Sequence, residues 1–411
     1  MPQNCSQRST LRRLLALLTA SAMLLAADLN AQSADHVNLM SAPSALSLND
    51  ASRALISNDH SLSRSRGISL PETDSVPEMV QPDQLWSAAQ GKLLDGEALL
   101  LYLQRDDRLH GWLIVRGRPF FAFDRAVTSE GLKSLVDTYR KALSAGFDIS
   151  ARAPVARGAV LRGEARPLAI SASAAAAQLA RLLLPPEVAE SSRDGIKHLT
   201  IVPAGDAALI PWSALPLDES GTLLIDRFSV SIAPGLSEFF RLSIVINGRR
   251  RGRSTGPLGL TKEAKAAVVG NPAFPADLPW RFPPLPGAER EAIEVARLLR
   301  TTALTGRAAT KGAVSALLRE RDVDLIYLAT HGLADESQPL DGGFLVLASD
   351  PHRDAAEARW TAREVQTQRL RANLVVLSAC QTGLGGIHAA GVIGIGRAFY
   401  IAGVPQVVTS L

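Results

Sequence analysis

From Lys265 onward, short apolar runs alternate with segments of helical period, and that rhythm leaves few folds open. The spacing predicts strands at Ala266–Val269, Leu325–Ala329, Leu374–Leu377 and Gln406–Leu411. Between them it predicts helices at Glu289–Leu299, Lys311–Arg319, Ala362–Gln368 and Val392–Ala402. A strand that is apolar throughout is covered on both faces, and strands joined through helices run parallel. The layout is a doubly wound α/β sheet, whose functional side chains belong at the carboxyl ends of the strands.

The preceding stretch is mixed. Ala98–Leu103, Trp112–Val115 and Pro119–Phe123 read as an antiparallel meander. Helical patterns follow at Leu132–Tyr139 and Ala176–Leu183, then apolar runs at Leu199–Val202 and Phe228–Ile232. Residues 32–83 are rich in Ser, Asp, Asn and Pro and read as a disordered linker, with a short helix near Leu48–Ile56. The expected division is a signal peptide (1–31), the linker (32–83), an N-terminal half (84–255) and a C-terminal half (256–411). A basic loop, Gly248–Pro257, marks the boundary between the halves.

Three arginines (Arg8, Arg12, Arg13) precede the apolar run Leu14–Ala27, and Leu29-Asn30-Ala31 offers a small residue for cleavage. The run is too short to span a bilayer comfortably, so export to the periplasm or medium is expected, without stable membrane insertion after cleavage. The net charge of +4 falls to +2 once the leader's three arginines and Asp28 are removed. Neither that charge nor an aromatic content of 5% suits a nucleic-acid surface. Cys5 leaves with the leader, so Cys380 is the one thiol of the mature chain and no internal disulfide can form. Such a thiol is either buried and inert or retained for chemistry.

Two strand ends carry the candidate chemistry. Leu325–Ala329 runs into Thr330-His331-Gly332, and Leu374–Leu377 runs into Ser378-Ala379-Cys380-Gln381-Thr382-Gly383. If these strands are parallel neighbours, imidazole and thiol emerge at one edge, where the histidine can take the thiol's proton. Backbone amides near Gly332 and Cys380 could face a developing oxyanion. Asp341, on the loop after the histidine, could line a pocket for a basic side chain or simply make a turn. Gln381 is a second pocket candidate. His388 is a rival imidazole, but a glycine-rich loop is a poor rigid mount. The remaining histidines form no metal-ligand spacing, so neither metal nor cofactor is expected.

The segments Leu325–Pro339 and Leu374–Leu411 also resemble the CHAT domain, a caspase-like cysteine peptidase module often attached to TPR repeats. The words that carry the match are "LIYLATHGLADESQPLDGGFLVLAS", "WTAREVQTQRLRANLVVLSACQTGLG" and "GRAFYIAGVPQVVTSL". Weaker agreement extends upstream through "HLTIVPAGDAALIPWSALP", "AVVGNP" and "PPLPGAEREAIEVARLL". The resemblance implies a three-layer α/β/α caspase-like sheet, preceded by a related α/β half without the dyad. It also implies a cysteine endopeptidase acting on peptide or protein substrates through His331 and Cys380. A catalytically impaired interaction module and a Cys-His acyl hydrolase are the alternatives. Family members usually carry an acidic residue before the glycine matched by Gly391, and Ile387–Ala390 has none. They also continue past the final strand, so the expectation is a shortened cleft and self-association through an uncovered edge strand.

The export reading has a direct check. N-terminal sequencing of the protein recovered from a secreting host is expected to begin at Gln32, and an intact Met1 in the recovered protein would refute it.

Overall fold

The computed structural model describes residues 46–64, 81–105, 107–144, 172–240, 264–276, 281–320, 323–349, 355–388 and 391–410. The leader and the basic loop lie outside the described residues, as does the expected boundary at 255/256.

The N-terminal sheet has five strands: β1 (Glu97–Arg105), β2 (Arg108–Val115), β3 (Phe121–Ala126), β4 (His198–Val202) and β5 (Ser229–Ile232). Their order is β3-β2-β1-β4-β5. The β1–β2–β3 meander is antiparallel as expected, whereas β4 and β5 join it in parallel. Helices α1 (Leu48–Arg64) and α2 (Leu85–Lys92) belong to the core on one face. Helices α3 (Ser129–Ser144), α4 (Ala172–Leu183) and α5 (Pro186–Arg193) belong to the core on the other. Part of the expected linker is therefore structural: α1 buries Ala51, Leu55 and Ile56, and Trp86 donates its indole N–H to Leu48 O at 3.1 Å. The short helix expected near Leu48–Ile56 is the start of α1, whose buried Ala51, Leu55 and Ile56 lie on one helical face.

The C-terminal sheet is parallel throughout, in the order β15-β12-β8-β6-β7. Its strands are β6 (Ala266–Pro272), β7 (Ala303–Gly306), β8 (Leu325–Ala329), β12 (Leu374–Ser378) and β15 (Val407–Val408). Helix α6 (Pro286–Leu298) covers one face through Ala292, Val295 and Ala296. Helices α7 (Lys311–Glu320), α8 (Ala362–Gln366) and α9 (Ile395–Ile401) contribute to the other core. This is the three-layer α/β/α arrangement. Every residue of β8 is buried, as burial on both faces of a central strand requires.

Two additions were not expected. A three-stranded antiparallel sheet, β9 (Gly332–Leu333), β10 (Phe344–Val346) and β11 (Arg359–Thr361), begins directly after the histidine. A hairpin, β13 (Gly386–His388) and β14 (Gly391–Ile393), occupies the start of the predicted helix at Val392. The helix begins only after Gly394, whose extended backbone cannot continue a helical turn. Val392 and Leu384 pack instead against the N-terminal core.

The halves also meet through charge. Arg397 of α9 donates from Nε and Nη2 to Oε1 of Glu238, at 2.9 and 2.5 Å, on the short helical stretch 236–240. Both side chains are buried, and Glu238 Oε2 and Arg397 Nη1 have no hydrogen-bond partner among the described residues. Removing one member leaves an uncompensated buried charge, which typically costs about 3–5 kcal/mol. Glu238→Ala and Arg397→Ala are each expected to lose stability on that scale in urea unfolding. Glu238→Leu combined with Arg397→Met should lose less than either. Single losses below about 1 kcal/mol would contradict the assignment.

Candidate active site

The β8–β12 ladder sets the site. Its register pairs Leu325 with Leu374 and ends with Ala329 opposite Ser378. His331 and Cys380 each lie two residues beyond that last pair, so they leave the sheet at the same level on neighbouring strands.

On the histidine side the backbone is held by β10. The buried Thr330 hydroxyl donates to Val346 O at 2.5 Å, and Val346 N–H donates to His331 O at 2.9 Å. The imidazole Nε2 lies 2.8 Å from Pro283 O. A carbonyl can only accept, so in the neutral ring Nε2 carries the proton and Nδ1 keeps its lone pair. Phe274 and Phe282 flank the ring, with centroids at 4.8 and 5.2 Å.

On the thiol side, Cys380 stands exposed on a tight turn. Gln381 next to it is in the left-handed region, with φ of 59°. The buried Thr382 closes the turn: its hydroxyl donates to Ala379 O at 3.2 Å and accepts from Ser410 N–H at 3.0 Å. Gly396 N–H, in the first turn of α9, donates to Thr382 O at 3.2 Å. Beneath the turn, the Ser378 hydroxyl donates to Glu291 Oε1 of α6 at 2.9 Å, and the Tyr327 hydroxyl donates to the same oxygen. Burial, aided by Glu291, holds the Tyr327 phenol neutral far above its ordinary range.

Gly332 joins the two sides. A Cβ there would stand 2.7 Å from Cys380 O, so only glycine allows this approach. Because His331 O faces β10, strand alternation turns the Gly332 N–H the other way, towards the Cys380 turn. The Ala334 N–H, on that same side, donates to Gln381 Oε1 at 3.2 Å.

Gln381 thus bridges the turn to the loop after His331. Both oxygens of Asp341 are taken by Arg363, from Nε at 2.6 Å and Nη2 at 2.7 Å. That pairing holds the Asp341 carboxyl below its ordinary range, so a substrate cation would have to compete with Arg363. His388 lies on the β13–β14 hairpin, paired with Gly391. Among the described residues no hydrogen bond joins His331 to Cys380, and no group of three His, Cys, Asp or Glu could hold a metal ion. Sequence reasoning missed Pro283, Phe274, Phe282 and Glu291 as parts of the site. The "PPLPG" word was a signal for the first, but a main-chain acceptor leaves no residue type to read.

The CHAT domain family matches residues 173–411. The chain belongs to the CHAT domain family. Among curated relatives it is 28% identical over 246 residues to human tetratricopeptide repeat protein 28, and 27% identical over 246 residues to the mouse protein of that name. Each match covers 52% of this chain and 10% of the relative, so the chain spans about a tenth of the length of those relatives. The caspase-like α/β fold expected of a CHAT domain is the fold observed.

The close approach at Gly332 has a measurable consequence. Gly332→Ala is expected to cost about 1–3 kcal/mol, the usual penalty of overpacking, and to change the rate at which iodoacetamide labels Cys380. Wild-type stability together with a wild-type labelling rate would show that the two strand ends are not in contact there.

Proposed function

We propose that the chain is a cysteine endopeptidase of the CHAT type, exported and acting on peptide or protein substrates. The observation that carries this reading is the register-matched pair: an exposed thiol beside an imidazole whose Nε2–H is committed to Pro283 O, which leaves Nδ1 free to accept a proton. In the first step Nδ1 takes the Cys380 proton as Sγ bonds to the scissile carbonyl carbon. The N–H groups of Gly332 and Cys380 donate to the carbonyl oxygen as it gains charge. The C–N bond then breaks and the imidazolium returns its proton to the leaving amine. Water attacks the resulting thioester with His331 as base, releasing the carboxylic acid and restoring the thiol. The imidazole and thiol are not hydrogen-bonded before substrate arrives, and catalytic hydrogen bonds commonly tighten only in the substrate complex.

Profiling the mature protein on a peptide library, beside a panel of simple esters, tests the reading. Peptide cleavage is expected, with Cys380→Ala inactive and His331→Ala slower by roughly 10²–10⁴-fold. Ester hydrolysis without peptide cleavage would make the chain an acyl hydrolase. No turnover, together with equal iodoacetamide labelling of Cys380 in wild type and His331→Ala, would make it a binding module.

A further inference from the structure

The "AVVGNP" word finds no role in the dyad, yet its asparagine reaches the group that holds the histidine. The β6–β7 register steps from Gly270 to Pro272 and skips Asn271, which is the bulged residue of β6. Its φ is 43°, in the left-handed region that asparagine tolerates better than most side chains. Bulges re-aim side chains, and this one sends the Asn271 amide across to the segment leading into α6. Oδ1 accepts from Leu285 N–H at 2.7 Å, and Nδ2 donates to Glu289 Oε2 at 2.8 Å. The two partners fix the amide's orientation, since a backbone N–H must meet oxygen and a carboxylate must meet NH₂. The strand end is itself pressed against α6, because a Cβ at Gly270 would lie 2.8 Å from Ala288 O. Two residues before Leu285, Pro283 presents the carbonyl that accepts the His331 Nε2–H. One residue further back, Phe282 packs beside the ring.

We propose that Asn271 is a positioning residue for His331. By clamping Leu285 to the bulge and Glu289, it holds the Pro283 carbonyl against the imidazole and so selects the tautomer with the proton on Nε2 and the lone pair on Nδ1. The inference rests on His331 serving as the base of the proposed peptidase, but the tautomer can be read without any turnover.

The test is ¹⁵N NMR of the full mature chain labelled at histidine, with the His331 signals assigned by their loss in His331→Gln. Wild type is expected to show a single neutral tautomer protonated at Nε2. Asn271→Ala should show a mixture of tautomers. It should also slow His331-dependent iodoacetamide labelling of Cys380 by about tenfold, on the scale of other lost orienting partners. A wild-type ring protonated at Nδ1, or an unchanged tautomer in folded Asn271→Ala, would overturn the proposal. If Asn271→Ala does not fold, Asn271→Asp decides the matter. Its carboxylate still accepts from Leu285 but repels Glu289, so the tautomer should shift and should recover in Asn271→Asp/Glu289→Gln. An unshifted or unrecovered tautomer refutes the proposal. Labelling of Cys380 that is independent of His331, with the tautomer behaving as expected, would sink the peptidase reading and leave the positioning role standing.

Discussion

The hydrogen-bond ladder between β8 and β12 is the constraint on which everything at the candidate site depends. Side chains alternate along a strand, so a slip of one residue would turn the whole set to the other face of the sheet. Here slippage is opposed from both sides, because β8 is buried throughout and β12 is buried along Leu374–Leu377. Ile326, Leu328, Val375 and Leu377 pack in one layer and Leu325, Tyr327, Leu374 and Val376 in the other, so the cost of exchanging the two sets fixes which residues leave the sheet together. The level at which His331 and Cys380 leave the sheet is therefore set by apolar packing below them.

The N-terminal half, which carries neither His331 nor Cys380, still bears on the candidate site. Its Glu238 grips α9, and the first turn of α9 donates to Thr382 of the cysteine turn. The β13–β14 hairpin follows the same turn and reaches the N-terminal core through Leu384 and Val392. The segment after Cys380 is thus stitched to both sheets, by a buried charge on one path and apolar contact on the other. A buried ion pair is weak evidence for net stability, but its geometry constrains which surfaces can meet.

Much of this was legible in the sequence. The runs Leu325–Ala329 and Leu374–Leu377 are buried on both faces, so continuous apolarity marked them within a residue of their observed limits. The strand expected over Gln406–Leu411 lies beside the cysteine strand, yet only Val407 and Val408 form its ladder. Beyond them Ser410 turns its groups to Thr382 and Gly383 instead. Strands of two or three residues, such as β9 and β13, are shorter than any period and leave no pattern to detect. The hairpin at Val392 looked helical because Val392 and Ile395 are both apolar at helical spacing, although they pack in different cores. In the site, His331 and Cys380 were readable as residue types at successive strand ends, whereas the close approach at Gly332 shows only in the structure. Pro283 meets the ring through its backbone carbonyl and the Asn271 amide is aimed by a bulge, and neither a main-chain acceptor nor a strand irregularity is marked by residue type.

The loop between β9 and β10 meets the cysteine turn at Ala334 and is braced further out by its own turns. Asp335 accepts from Ser337 N–H and Gln338 N–H, at 2.8 and 2.9 Å, and Arg363 forks onto Asp341 at the other end. His331 and Cys380 ride on the ladder, while the rim beside them rides on its own turns and on α8. Two mechanical supports allow two rates of evolutionary change. Such a rim can be rebuilt by drift and selection, residue by residue, while the machinery beneath keeps its alignment.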